Sequence, residues 1–322
     1  MIADPLRPAR LAVRAGRFRE AATELHSVEP GHQERAEWLL LNAIAQWRLG
    51  AFAASQAAAR DAREHFRMLA DGDGEMRAEN VAAAGAFATG NLDEATAGFH
   101  RAHALAEARG DALLAARSVN NLGNVAFYRA DHDTALRYYR LAAAGFERLE
   151  FHHGLGEALI NQSIVARDAG RWGEALAAAE RALAAAHRAS SARVAGQAHA
   201  NIGEAVAASG DARLGRVHLH RALAIARRED DRLAEVEALR LLGNLESHDG
   251  RPLDALEFFG QAHTVASAID HAWGRAELFR DYAACLEGSG HTNEARVMRE
   301  RAAAAFNQAG ATMRAQTLEA ST

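Results

Sequence analysis

Glycine recurs at a fixed interval of 40 residues in this chain, at Gly50, Gly90, Gly170, Gly210, Gly250 and Gly290, with Ala130 in the one slot it misses. Gly accounts for only 26 of the 322 residues, so chance does not fill six of seven slots. Two further columns share the interval. Ala62, Ala102, Ala142, Ala182, Ala222, Ala262 and Ala302 form one; Ser55, Ala95, Ala135, Ala175, Gly215, Ala255 and Ala295 form the other. A period of this size marks an array that grows by stacking similar units, each burying the face its neighbour leaves open.

Between the columns the apolar spacing is helical. Leu136, Tyr139, Leu141 and Ala142 make one i, i+3/i+4 stripe, and Val119, Leu122, Val125 and Ala126 make another. Gly punctuates the join because a tight helix-to-helix turn needs a residue tolerant of positive φ. Helix-start chemistry follows: Asn91 with Glu94 forms a capping box, Asp131 and Asp211 suit N-caps, and Pro252 suits a first helical position. Breaks at 109–112, 228–231 and 268–271 separate one repeat from the next. Each repeat therefore divides into two helices of roughly 17 residues joined by short turns. No segment alternates with period two long enough for a strand, so the expectation is all-α. Seven hairpins are expected at 32–70, 73–109, 112–149, 152–189, 191–229, 231–269 and 271–309. A shortened unit at 1–30 precedes them, with Gly16, Phe18, Ala21, Leu25 and Val28 in repeat register. A solvating tail at 310–322 follows.

These residues resemble the tetratricopeptide repeat. Its helical hairpin carries Leu-Gly on the first helix, Gly at the turn, and Ala, aromatic, Ala on the second. Here that reads Leu122-Gly123, Ala130, Ala135, Tyr139, Ala142, and again Leu242-Gly243, Gly250, Ala255, Phe259, Ala262. Ala83, Ser163 and Ala283 replace the first-helix Gly in other units, and Arg299 replaces the aromatic. The long repeat looks like the subclass that includes scaffolds of spindle orientation and peptide-sensing regulators of Gram-positive bacteria. The resemblance implies a right-handed α-solenoid superhelix of about eight antiparallel hairpins, its concave wall lined by first helices that bind an extended peptide or a partner helix.

Composition narrows the function. A net charge of −5 does not favour nucleic acid. All 37 basic residues are arginine, the usage of a GC-rich bacterial genome. Cys285 is alone, so no disulfide framework or cysteine metal site can form, and a buried thiol is expected. The first residues lack a signal-peptide core, and no apolar run approaches the ~20 residues that span a bilayer. A cytoplasmic protein without membrane attachment is the expectation. Sixteen histidines include His100 and His103 at i, i+3, but none has the partners of a closed metal site. No phosphate loop, dinucleotide fingerprint or nucleophile elbow is present, so no catalyst, cofactor or metal is expected.

If first helices line the groove, residues at i, i+3, i+7 and i+10 share its face. The N-terminal half then presents Trp47, Phe87 and Phe127 beside Arg77, Arg117, Asn80, Asn120 and Asn124. A side-chain amide both donates and accepts, so it can pair a peptide backbone without reading its sequence. Two readings of this column stand: ligand contacts, or capping and packing between repeats. Toward the C-terminus the same positions hold Glu157, Gln197, Glu237 and Glu277 with Arg240, Asn244 and Arg280. Glu237–Arg240 and Glu277–Arg280 are i, i+3 pairs, expected to be solvated or to offer a mixed-charge wall. The function expected is a non-enzymatic scaffold or adaptor for a protein or peptide. The alternative is a sensory array that binds a signalling peptide or small molecule and switches a separate effector, such as a transcription regulator or kinase.

Overall fold

The computed structural model describes residues 4–31, 34–269 and 271–319. His32, Asp270 and residues 320–322, which fall within the expected first hairpin, one expected break and the expected tail, lie outside the described residues, as do residues 1–3 and 33. Seventeen helices and no strand occur among the described residues. They are α1 (Arg7–Arg14), α2 (Phe18–His26), α3 (Arg35–Arg48), α4 (Phe52–Met68), α5 (Gly72–Ala88) and α6 (Leu92–Arg109). Next come α7 (Ala112–Tyr128), α8 (His132–Arg148), α9 (His152–Asp168), α10 (Trp172–Arg188), α11 (Ala192–Ala208) and α12 (Ala212–Arg228). The last are α13 (Arg232–His248), α14 (Pro252–Ala266), α15 (Ala272–Gly288), α16 (Thr292–Gln308) and α17 (Thr312–Glu319). From α3 to α16, odd-numbered helices are the first and even-numbered the second of each pair. The chain divides into two compact units within α7, between Val125 and Ala126.

The turns explain the interval. At the end of α11, Gly210 adopts φ 104° and its N–H donates to Ala207 O at 3.0 Å, while Asp211 N–H donates to Val206 O at 3.2 Å. That is the paired closure of a left-handed helix cap. The Asp211 carboxylate then accepts the N–H of Leu214 at 2.9 Å, so one residue closes α11 and caps α12. A 17-residue helix plus a three-residue turn returns the chain to the same phase every 20 residues. The left-handed residue recurs on that half-interval: Ala70, Gly90, Gly110, Ala130, Glu150, Gly170, Ser190, Gly210 and Asp230 all have positive φ. The sequence displays only the 40-residue period because most alternate turns, Gly110 and Gly310 apart, put Ala, Glu, Ser or Asp where Gly would reveal them.

Within a hairpin the two helices touch where neither carries a bulky side chain. A Cβ on Gly203 would lie 2.9 Å from Gly215 O, and one on Gly215 only 2.7 Å from Gly203 O. The equivalent positions of other hairpins hold Ser55, whose hydroxyl donates to Ala43 O at 2.7 Å, and Ser163, which donates to Ala175 O at 2.8 Å. Larger side chains fill the spaces on either side. In unit 1 these include Leu6, Leu25 and Leu41 near the start and Met76 and Leu114 further on. In unit 2, Leu239, Leu242, Phe259 and Leu278 are fully buried at the centre of the largest cluster. Cys285 is buried there as well. The tail expected to be solvated forms α17, preceded by a buried Ala311 and burying Ala315 beside Phe306.

A pair of histidines also meets between helices. His199 of α11 and His218 of α12 face each other with Nδ1 atoms 3.0 Å apart. Such a bond requires one ring to donate and the other to accept, which two imidazolium ions cannot do. Burial, and then the neighbouring His218 and Arg221, pull His199 down to about 4; burial also lowers His218.

Two outcomes are expected. The left-handed conformation costs a non-glycine residue about 1–2 kcal/mol. Glu150→Gly and Asp230→Gly should each therefore stabilise the fold by about 1 kcal/mol in urea titrations, and Gly170→Ala should lose a similar amount. For the histidines, the unfolded chain takes up protons below pH 6.5 that folded His199 refuses until about 4. Stability is thus lost as pH falls through that window. Melting between pH 7.5 and 5 should drop less in His199→Leu/His218→Phe than in the parent, and equal drops would refute the linkage.

Candidate functional site

Helices α9, α11, α13 and α15 of unit 2 pack side by side, each touching the next. Residues near the middle and end of their shared face converge on one charged cluster. Arg167 of α9 reaches Glu204 of α11, Nη1 to Oε2 2.9 Å, and the neighbouring Asp168, Nη2 to Oδ1 3.0 Å. Arg240 of α13 grips Glu237 with two parallel bonds, Nε to Oε2 2.9 Å and Nη2 to Oε1 2.6 Å. It also pairs with Asp281 of α15. Asn244 donates to Asp281 Oδ2 at 2.7 Å, and Arg280 Nε donates to its Oδ1 at 2.7 Å. Glu277 Oε2 lies 3.8 Å from Arg240 Nη2. Arg314 of α17 completes the set, donating from Nη2 to Asp168 Oδ2 at 2.9 Å.

The electrostatics are those of a crowded recess. Burial works against the charge on Arg240, but Glu237, Asp281 and Glu277 overcome it and hold the guanidinium firmly protonated. Burial likewise opposes ionisation of Asp281, and the adjacent Arg240 and Arg280 hold it well below the usual carboxylate range. Glu237 is held down in the same way by Arg240, against burial. Glu204 is the exception: burial raises it, with Arg167 only partly offsetting the effect. Yet the Glu237 side chain keeps 37% of its surface in contact with solvent and Glu204 22%. Carboxylates that feel desolvation this strongly while still touching water lie on the floor of a recess, not in a dry core.

An aromatic group borders the cluster. Tyr128 stacks on Trp273 with ring centroids 4.1 Å apart, Phe127 lies 5.4 Å from Trp273, and Phe306 meets Trp273 edge-on at 5.5 Å. Burial raises the Tyr128 hydroxyl well above its ordinary value. Residues 127–128 and 273 are far apart in sequence, so within unit 2 the first-helix face curves back on itself.

The expected groove residues divide. Phe127, Arg240, Asn244 and Arg280 meet in or beside the recess. Glu237–Arg240 and Glu277–Arg280 are not simple solvated pairs: the Arg240 side chain is 2% exposed and that of Glu277 8%. The physical reason is that the next first helix brings a second carboxylate, Asp281, onto Arg240 and closes over it. In unit 1, Trp47 is half-buried, 6.4 Å edge-on from Phe52 and beneath Arg48. Asn80 is half-buried with Oδ1 sealed from solvent and without a hydrogen-bond partner. Arg77 is exposed, its Nε 3.4 Å from Asp73 O. Phe87, Asn120 and Asn124 are half-buried and Arg117 is exposed.

Sequence reasoning missed Arg167, Asp168, Glu204, Asp281, Trp273 and Arg314. A signal for two of them was present. Arg167 continues the column of Trp47, Phe87 and Phe127, and Glu204 lies in the column of Asn124 and Asn244. Elsewhere, His103 contacts Ala115 O at 3.3 Å and Glu107 at 3.6 Å. Among the described residues no group of three or more His, Cys, Asp or Glu is placed to hold a metal ion, and no helix is long and apolar enough to cross a membrane.

Comparison with known proteins agrees with this architecture. The family model of the tetratricopeptide repeat matches residues 114–187 and 194–268. No curated protein matches the sequence. Among solved structures, a Rap protein complexed with Competence and Sporulation Factor is similar over 98% of this chain and 92% of its own, with 15% identity and a TM-score of 0.66. Aspartyl phosphate phosphatase F from Bacillus subtilis is similar over 81% of this chain and 69% of its own, with 15% identity and a TM-score of 0.66. A signal-transduction ATPase from Pyrococcus horikoshii with a tetratricopeptide repeat sensor matches over 91% of this chain and 44% of its own, at 14% identity and a TM-score of 0.64. Residues 114–187 and 194–268 thus carry tetratricopeptide repeats, within an array of helical hairpins that repeats every 40 residues.

Proposed function

We propose that this chain is a protein-interaction module, without a catalytic step of its own, whose first helices receive an extended peptide or a partner's helix. The observation that carries the reading is the charged recess of unit 2. Buried ion networks add little stability, because desolvation consumes most of the Coulombic gain, and apolar replacements of equal size are often neutral or better. A face that retains this many ionised groups is better explained by use than by folding. The groups are also fixed in advance: Arg240 by three carboxylates, Asp281 by two guanidiniums and an amide. Fixed donors and acceptors bind with little loss of side-chain entropy. Carboxylates outnumber guanidiniums here, which with the net charge of −5 favours a protein or peptide over nucleic acid. The solved Rap protein with its bound factor shares this fold, which supports the reading by analogy. A cytoplasmic setting without membrane attachment fits a partner of this kind.

A second reading, a sensory array that switches a separate effector, is favoured by two observations. The fold is shared with a protein described as having a tetratricopeptide repeat sensor. The terminal helix α17 also sits against the recess, where a ligand's arrival would be felt.

Two measurements test the proposal. A photo-crosslinking residue at position 237, on the recess floor, should capture a peptide or protein from native extract, whereas one at the exposed second-helix position 181 should not. Capture from 181 alone would place the binding face elsewhere. The second measurement uses Glu204. Because burial raises its folded value, the ionised form opposes folding at pH 7, and the penalty vanishes at acid pH where both states are protonated. Glu204→Gln should therefore melt higher than the parent at pH 7, converge with it near pH 4, and capture less partner. Higher stability with undiminished capture would remove Glu204 from the site.

A further inference from the structure

Helix α17 packs on α16 and turns Arg314 inward. The guanidinium carbon lies 4.9 Å from the ring centroid of Phe127 and 4.9 Å from that of Trp273. Nη2 donates to Asp168 Oδ2 at 2.9 Å, and Nη1 is 3.9 Å from Glu277 Oε1. Two aromatic faces and two carboxylates are the surroundings a planar, weakly hydrated cation prefers over any other side chain.

The walls of this cage are held by other residues. Asp168 is fastened through its other oxygen by Arg167, and Trp273 is clamped between Tyr128 and Phe306. The occupant fits less well than the walls. Arg314 Nε and Glu277 Oε1 are both sealed from solvent without a hydrogen-bond partner. The helix that delivers Arg314 has eight residues, too short to persist alone, and it is held by Ala315 and Leu318 packing against Ala276, Ala303, Ala305 and Phe306. Withdrawing Arg314 would leave five carboxylates, Asp168, Glu204, Glu237, Glu277 and Asp281, facing three guanidiniums.

We propose that this cage is a guanidinium-binding site, that Arg314 is its built-in occupant, and that an arginine-bearing peptide enters the recess by displacing α17. The inference rests on the reading that the recess of unit 2 takes a peptide, and it adds the side chain recognised and the element that competes for it. A tethered occupant lowers the apparent affinity of any rival in proportion to the fraction of time the cage stands open.

The test uses the full chain and three labelled pentapeptide amides, Ala-Ala-X-Ala-Ala with X arginine, citrulline or lysine. Arg314→Met should bind the arginine peptide about tenfold or more tightly than the parent does, since no internal rival remains. Citrulline keeps the shape and loses the charge, so its peptide should bind about tenfold more weakly than the arginine peptide. The lysine peptide should fall between them. Asp168→Asn added to Arg314→Met should abolish the gain. On the parent protein, saturating arginine peptide should speed deuterium uptake in α17, a readout that needs no variant to fold. Equal binding of the arginine and citrulline peptides would overturn the guanidinium site. Unchanged uptake in α17 together with equal affinity of parent and Arg314→Met would overturn displacement. If crosslinking at position 237 captures a partner while arginine confers no advantage, the peptide-binding reading stands and this inference falls. If position 237 captures nothing and no peptide binds, both fall.

Discussion

The structure depends on how closely two helices of a hairpin approach. At the Gly203–Gly215 crossing carbonyl oxygen meets Cα, and a Cβ added to either residue would collide with the opposite backbone. Only Gly, Ala and Ser fit, and the serines that occur there spend their hydroxyl on the facing carbonyl. Everything else in the repeat follows from keeping that crossing in phase. A turn that added or dropped one residue would rotate the next helix by about 100° and aim a larger side chain at the crossing. The left-handed closure that recurs at the turns, joined at Asp71, Asn91, Asp131, Ser191, Asp211 and Asp231 by a side-chain cap on the next helix, is what fixes the count.

The close crossing has a consequence for chemistry. With the inter-helix contact assigned to small residues and the flanking core to Leu, Phe and Tyr, the remaining face of each first helix is free of a packing role. In unit 2 that face holds Arg167, Glu204, Glu237, Arg240 and Asp281: Arg167 meets Glu204 and Arg240 meets Asp281 across adjacent first helices, while Glu237 pairs with Arg240 on its own helix. Neutralising opposite charges across helices lets them be desolvated together, which no single repeat could do. A lone hairpin carrying Arg240 would leave it in water. The stack converts a solvated i, i+3 pair into a buried network, and this is why spacing within one helix misjudged Glu237–Arg240.

Columns that run through every repeat were legible in sequence because they obey one physical demand. The alanines at 62, 102, 142, 182, 262 and 302 are all fully buried, as their period implied. The half-interval was hidden because the alternate turns tolerate non-glycine residues at a modest energetic cost, so composition did not mark them. The site was legible only in part. Arg240, Asn244, Arg280 and Phe127 could be placed on the face by counting, but Asp281 lies one position off the counted stripe and Trp273 near a helix start. Arg314 follows the last repeat, where no period predicts anything. Side chains that meet by curvature of the stack, such as Tyr128 and Trp273, leave no trace in local spacing.

The columns also show how one register serves different chemistry. The position occupied by Trp47, Phe87 and Phe127 becomes Arg167 one repeat later. The Asn80 and Asn120 position becomes Ile160 and Ala200 before returning as Arg240 and Arg280. Backbone geometry is the same at each step, so these exchanges are not demanded by the fold. They fall on the face that the crossing leaves unconstrained, whereas the small-residue columns behind it do not change character. In a stacked array, the positions that vary while the scaffold repeats are the ones free to change chemistry, even where, as at Ile160, Ala200 and Arg240, they are buried. Here they pass from amides and aromatics to guanidiniums and carboxylates at the level of α9, where the charged recess begins.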